Sequence, residues 1–239
     1  MRDLAAALEA RAKPEGLEWL REASAAAAAD ASSLRSRFAM VGRKVGRETL
    51  DEDADPNDVW AWTVEDAARV LLLVAAGERA EAELAELYRF GDAAERRGVL
   101  QALPYLNIED RGLALVDDAI RTNDTRLIAA ALGPYATEHL SDAAYDQAVL
   151  KCVFVGVPIT GLDGIPERVT PDGARMLAAF VHERVAAGRD VPAEVWIVID
   201  KYPNAEEIAA IEAELDSEFD DRRSAAQRAL SHRNVRNEQ

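Results

Sequence analysis

The chain has 239 residues, 49% of them apolar and only 6% aromatic, with 44 acidic against 28 basic side chains and a formal net charge of −16. That length is ample for a buried core. So acidic a field excludes unaided binding to nucleic acid or anionic lipid, either of which would need a strong local basic patch.

The single cysteine, Cys152, excludes an internal disulfide and fits a reducing compartment. Charges at Arg2, Asp3, Glu9, Arg11, Lys13 and Glu15 interrupt the first twenty residues, so no export signal is expected. No stretch approaches the roughly 20 apolar residues that span a bilayer. The expectation is a cytoplasmic protein that does not insert in a membrane.

Ala, Leu, Glu and Arg dominate, and these are strong helix formers. Trp19 to Ala29 reads as helix, followed by Ser32 and Ser33 as caps for Leu34 to Val45, which Gly46 closes. The acidic stretch Asp51–Asp58 with Pro56 reads as a loop. Thr63-Val-Glu-Asp66 resembles a capping box ahead of the apolar run to Ala76 and the stop at Gly77. Further helices are predicted over 79–90, 93–102 and 110–121, then 124–132 with Asn123 as cap and Gly133-Pro134 as stop. Ser141 is expected to cap 142–155. Thr170-Pro171 gives the preferred cap-then-Pro order for a helix to Ala187. Pro192 opens a segment through Ile199, and Asn204 with Glu207 starts a last helix carrying Ile208, Ile211, Leu215 and Phe219 as one stripe. The polar tail beyond about Arg222 is expected to fray. Val153–Val157 and Val195–Asp200 are rich in β-branched residues, but without strand partners they read as buried helix. The prediction is an all-α protein of stacked helical hairpins, an irregular HEAT-like superhelix with at least about two-thirds helix. Its domain covers 1–203, with 204–239 appended.

Motifs for chemistry are missing. Gly42 to Thr49 lacks one residue between its glycines for a phosphate loop, and no strand precedes it. His182-Glu183 has Ala186 where a zincin needs a second histidine. His139, His182 and His232 are not at ligand spacing, so neither metal nor cofactor is expected. Cys152 lies in an apolar run and reads as a small buried hydrophobe rather than a nucleophile.

Three cations stand out. Arg69 is the only charge in 67–76, Lys151 the only charge in 148–157, and Arg184 lies seven residues after Leu177 on the apolar face of its helix. A buried charge needs an acceptor, either an internal carboxylate or a bound anion. The segment 35–47 adds Arg35, Arg37, Arg43, Lys44 and Arg47 with no acid. It reads either as a solvated basic face or, joined by the buried cations, as part of a site for a carboxylate or diphosphate. His182 adds a further donor. Trp60 and Trp62 read as packing residues or pocket walls.

At these positions the chain resembles the EboA family, over roughly Trp19 to Tyr202. Arg37-Phe38, Arg43-Lys44-Val-Gly46 and Trp62 to Leu73 carry the likeness. So do Ala119-Ile-Arg121-Thr-Asn123, Gln147 to Lys151, Arg175-Met-Leu177, His182-Glu-Arg184 and Ala186-Ala-Gly188-Arg189. Tyr145-Asp146 stands where the family pattern has Trp-Asn or Trp-Asp. The resemblance implies a secondary-metabolite gene cluster that also encodes a UbiA-type membrane prenyltransferase, a dehydroquinate-synthase-like protein, a TatD-like hydrolase and a TIM-barrel-type protein. It brings no activity.

Three readings follow. In the first, an accessory protein holds an anionic metabolite, prenyl-diphosphate-like, against Arg37, Arg43, Lys44, Arg69, Lys151, His182 and Arg184. In the second, an adaptor presents a surface to the enzymes of the cluster and the cations are internal ion pairs. In the third, a metal-independent enzyme uses Lys151, His182 and Glu183 as acid–base groups.

Overall fold

A computed structural model describes residues 3–237. It is all-α: 73% of the residues are helical, and among the described residues the only β pairing is an isolated antiparallel bridge between Thr49 and Thr63. The contacts divide the chain into two compact units, one ending at His139 and the other beginning at Leu140.

The first unit contains α1 (Leu4–Arg11), α2 (Pro14–Ala29), α3 (Val64–Ala76), α4 (Glu81–Phe90), α5 (Ala93–Ala102), α6 (Leu113–Arg121), α7 (Thr125–Ala131) and α8 (Pro134–His139). Between α2 and α3 lie the four-residue turns Leu34–Arg37 and Val41–Lys44, joined by 3-10 turns. Helix α3 is the centre. It packs against α1, α2 and α5, and α5 in turn packs against α7, while α4 and α6 lie against α5 and α7 respectively. This alternation, with every second helix forming a continuous inner layer, is the hairpin stacking that the sequence predicts.

Local chemistry explains the boundaries. The Thr63 hydroxyl accepts from the Asp66 N–H at 3.2 Å while the Asp66 carboxylate accepts from the Thr63 N–H at 2.9 Å, a complete capping box. Asp92 and Glu95 form a second box at the start of α5. Val64, Ala67, Ala68, Val70, Leu72 and Leu73 of α3 are fully buried. Each such Val or Leu is worth about 1.5–3 kcal/mol of burial. Helix α7 starts one residue later than expected, its cap being Asp124 rather than Asn123. Pro134, read as a terminator, instead opens α8, where a missing N–H costs nothing.

The second unit contains α9 (Asp142–Val155), α10 (Pro171–Ala186), α11 (Val195–Ile199), α12 (Ala205–Ala213) and α13 (Asp220–Asn237). Helix α10 contacts all four others. The Ser141 cap and the left-handed Gly156 bound α9. Two expectations need correction here. The stripe Ile208, Ile211, Leu215, Phe219 breaks after Ile211, because α12 ends at Ala213 and leaves Leu215 and Phe219 exposed. Beyond Arg222 the described residues, to 237, continue α13, whose Ala225, Ala226 and Ala229 are buried; residues 238–239 lie outside the described ones. The fixed point is Trp196, fully buried, whose indole N–H donates to the Ala229 carbonyl at 2.8 Å.

Candidate functional site

The basic segment occupies the short turns between α2 and α3. Leu34, Phe38, Val41 and Val45 are buried, at spacings of four, three and four that put them on one side of a helical path. The backbone is right-handed helical at Phe38, Val41 and Val45, so the two four-residue turns and the 3-10 turn between them run on as one coil. The other side carries Arg37, half-buried, and Arg43 and Lys44, exposed, while Arg47 lies beyond Gly46 with its Nε beside Gly42. Arg35 is spent on Glu83, donating from Nε at 2.6 Å and Nη2 at 3.3 Å. Among the described residues no carboxylate pairs with Arg37, Arg43 or Lys44.

Beneath this coil, α3 and α5 hold a buried charge cluster. Arg69 is 2% exposed and meets the Glu65 carboxylate, one turn earlier on α3, at 3.0 Å. Its guanidinium lies 5.6 Å from the centre of the Phe38 ring. Arg97 of α5 donates to Asp66 Oδ1 at 2.9 Å, leaving Oδ2 to the capping box. Two glycines make room. A Cβ on Gly98 would stand 2.7 Å from Arg69 Cδ, and one on Gly42 would stand 2.3 Å from Glu65 Oε2 and 2.8 Å from Arg47 Nε. The acceptor that Arg69 requires is therefore an internal carboxylate four residues away. Its Nε and the Gln101 Oε1 are the buried polar atoms of this cluster that have no hydrogen-bond partner.

The remaining predicted residues belong to the second unit. Lys151 is half-buried on α9, where its charge opposes the effect of burial on the neighbouring Cys152. Burial dominates, and the thiol is pushed up to about 12, which keeps it protonated and inert. His182 is half-buried on α10 and Glu183 is exposed. Arg184 donates from Nε and Nη2 to the Asp190 carbonyl at 3.2 and 2.9 Å, fastening the loop after its own helix. Trp60 and Trp62, by contrast, belong to the first unit and are both half-buried.

A family model described as metabolite traffic protein EboA matches residues 1–200. The chain belongs to the EboA family. That description carries a role in metabolite handling. No curated protein and no solved structure matches.

The family model spans both the basic coil and the buried cluster under it. In this EboA-family chain, Glu65, Asp66, Arg97 and Gln101 are among the buried polar residues that sequence reasoning left out of the candidate site, with Thr63, Glu83 and Asp146. Asp66 was legible only as a cap. Glu65 was within reach of inspection, since it stands four residues before Arg69 on the same helix. Arg97 was not, because the run Glu95-Arg96-Arg97 reads as a solvent face. A surface recess of about 400 Å³ in the first unit is lined by Ala85, Tyr88, Arg89, Arg96, Leu115 and Asp118, and none of the predicted site residues borders it.

Proposed function

We propose that the chain is an accessory protein that binds an anionic metabolite, diphosphate-like or carboxylate, and hands it to a partner rather than transforming it. The observation that carries this reading is the solvent side of the 34–45 coil. Arg37, Arg43 and Lys44 have no acidic partner there among the described residues, in a chain with 44 acids. Coulombic attraction would ordinarily recruit some of those acids, and Arg35, Arg69 and Arg97 all have theirs. Arg69, tied to Glu65 and Phe38, supports the coil from below and does not offer its charge to a ligand. Lys151 and Arg184 are candidates as lone charges in apolar helices and His182 as a further donor; all three lie in the second unit, and Arg184 already serves the Asp190 carbonyl.

The test is thermal melting of the wild type and of Arg43→Glu/Lys44→Glu with pyrophosphate, citrate and a prenyl diphosphate. At 100 times its dissociation constant a ligand adds about 2.7 kcal/mol, a rise of roughly 5–10 °C for a chain of this size. The charge-reversed variant should lose that rise while melting normally without ligand. If no anion moves the wild type, the binding reading falls. The adaptor reading then gains from Phe90 and Phe154, which are 71% and 69% exposed and offer apolar contact to another protein.

A further inference from the structure

The solvent side of the 34–45 coil is not only basic. Met40 is 39% exposed among the cations, three residues after Arg37 and four before Lys44. Those spacings put Arg37, Met40 and Lys44 along one line of the coil. Arg43 stands three residues beyond Met40, and the Arg47 side chain folds back so that its Nε reaches the space beside Gly42. The opposite side, Leu34, Phe38, Val41 and Val45, is locked into the first unit, so the coil is held flat against its unit and cannot bury Met40 by turning over. The result is a short ridge of three cations, Arg37, Arg43 and Lys44, around one flexible apolar side chain, fixed on an otherwise acidic protein.

We propose that this ridge docks the protein reversibly on an anionic bilayer surface, with Arg37, Arg43 and Lys44 on lipid phosphates and Met40 entering the headgroup boundary. Basic side chains flanking an exposed apolar residue, on a coil with its other face buried, are the chemistry of an interfacial anchor. Among the described residues no helix is long and apolar enough to cross a membrane, so attachment would be to the surface. The net charge of −16 does not forbid it. At physiological ionic strength fields decay over about 8 Å, so headgroups in contact with the ridge feel mainly the ridge. Each cation near an anionic surface strengthens partitioning about fivefold, which makes three of them a weak, salt-sensitive attachment. The inference uses the same cations as the metabolite reading but a different occupant, so the two fail separately.

The experiment is sedimentation of the full chain with phosphatidylcholine vesicles and with vesicles containing about one-third phosphatidylglycerol, at low and at roughly 0.5 M salt. The wild type should pellet with the anionic vesicles at low salt, and neither with neutral vesicles nor at high salt. Arg43→Glu/Lys44→Glu should lower partitioning by at least about 25-fold, two charges at fivefold each. Met40→Ser should weaken it several-fold with an unchanged circular dichroism spectrum, since Met40 is not part of the core. Equal binding to neutral vesicles, no binding to anionic ones, or full binding by the charge-reversed variant would overturn the assignment. If vesicles bind while no soluble anion shifts the melting curve, the membrane assignment stands and the metabolite reading fails. If pyrophosphate shifts the curve and vesicles do not bind, the metabolite reading stands and the membrane assignment fails.

Discussion

Arg69 shows how much rests on one pairing. Its guanidinium and the Glu65 carboxylate are 2% and 6% exposed, so neither charge can recover its hydration. Removing one partner from a buried pair typically costs about 3–5 kcal/mol, whereas replacing both with apolar residues is often close to neutral. Arg69→Met is therefore expected to be severely destabilising, and Glu65→Leu/Arg69→Met to recover most of the loss. Urea denaturation of the two variants checks this, and a single-variant cost below about 1 kcal/mol would show that the pair is solvated after all. Cys152 gives a second test at this scale. With the thiol fully buried and held protonated, it should react with an aromatic disulfide only after denaturant is added. Prompt labelling of the native chain at neutral pH would contradict its placement.

Between elements, the joint of α9 and α10 is the most constrained. Asp146 of α9 is 4% exposed and accepts from the Thr170 hydroxyl at 2.5 Å and the Thr170 N–H at 3.3 Å. The same hydroxyl accepts from the Gly173 N–H at 3.1 Å, so one threonine caps α10 and fixes α9 to its first turn. Gly173 permits that approach, since a Cβ there would stand 2.2 Å from Asp146 Oδ1. Gly173→Ala should cost about 1–3 kcal/mol through this clash, despite alanine's better helix propensity. A double-mutant cycle with Asp146→Ala is the check. If the glycine is there for space, the second change relieves part of the first, and strict additivity would refute the contact. Helix α13 is held by its buried alanines, by the Arg228–Asp190 and Arg233–Asp200 pairs and by the Trp196 indole. Trp196→Phe drops the hydrogen bond to Ala229 and part of the buried indole volume, and should increase amide exchange in α13 before it affects α9 or α10.

For the molecule as a whole, the buried proton donors decide the response to alkali. Burial raises the Cys152 thiol from 9.0 to about 12, and also raises the phenols of Tyr88, Tyr135 and Tyr145 above their ordinary 10.0. An unfolded chain would release the thiol proton near pH 9 and the phenol protons near pH 10, while the folded chain keeps them. The folded state then binds more protons, so stability falls as pH rises through this window, from about 9 to 12 for the thiol. Denaturation midpoints measured at pH 8, 9, 10 and 11 should decline with growing slope, about 1.4 kcal/mol per pH unit for each fully titrated group. A flat profile to pH 11 would mean that these groups are solvated.

What the residues determine by themselves here is local. The Thr63–Asp66 box, the Ser141 and Thr170 caps and the stops at Gly77 and Gly156 act over four or five positions, so α3, α9 and α10 could be placed from the sequence alone. The helical class follows from propensity and stop density, and the odd isolation of Arg69 was visible as a charge in an apolar run. The partners were not visible where they came from another helix. The Arg97–Asp66 pair spans 31 residues, the Arg35–Glu83 pair 48, and the Trp196–Ala229 bond 33. The same limit hid α13, a polar segment whose docked side carries the small buried alanines Ala225, Ala226 and Ala229. Its helix is stabilised by what it packs against rather than by its own pattern. Only the tertiary arrangement separates Arg35 and Arg97, whose carboxylates come from another helix, from Arg37, Arg43 and Lys44, which have none. The cause is distance: pairing is decided by proximity in space, and sequence spacing fixes that proximity only within a turn or two of helix.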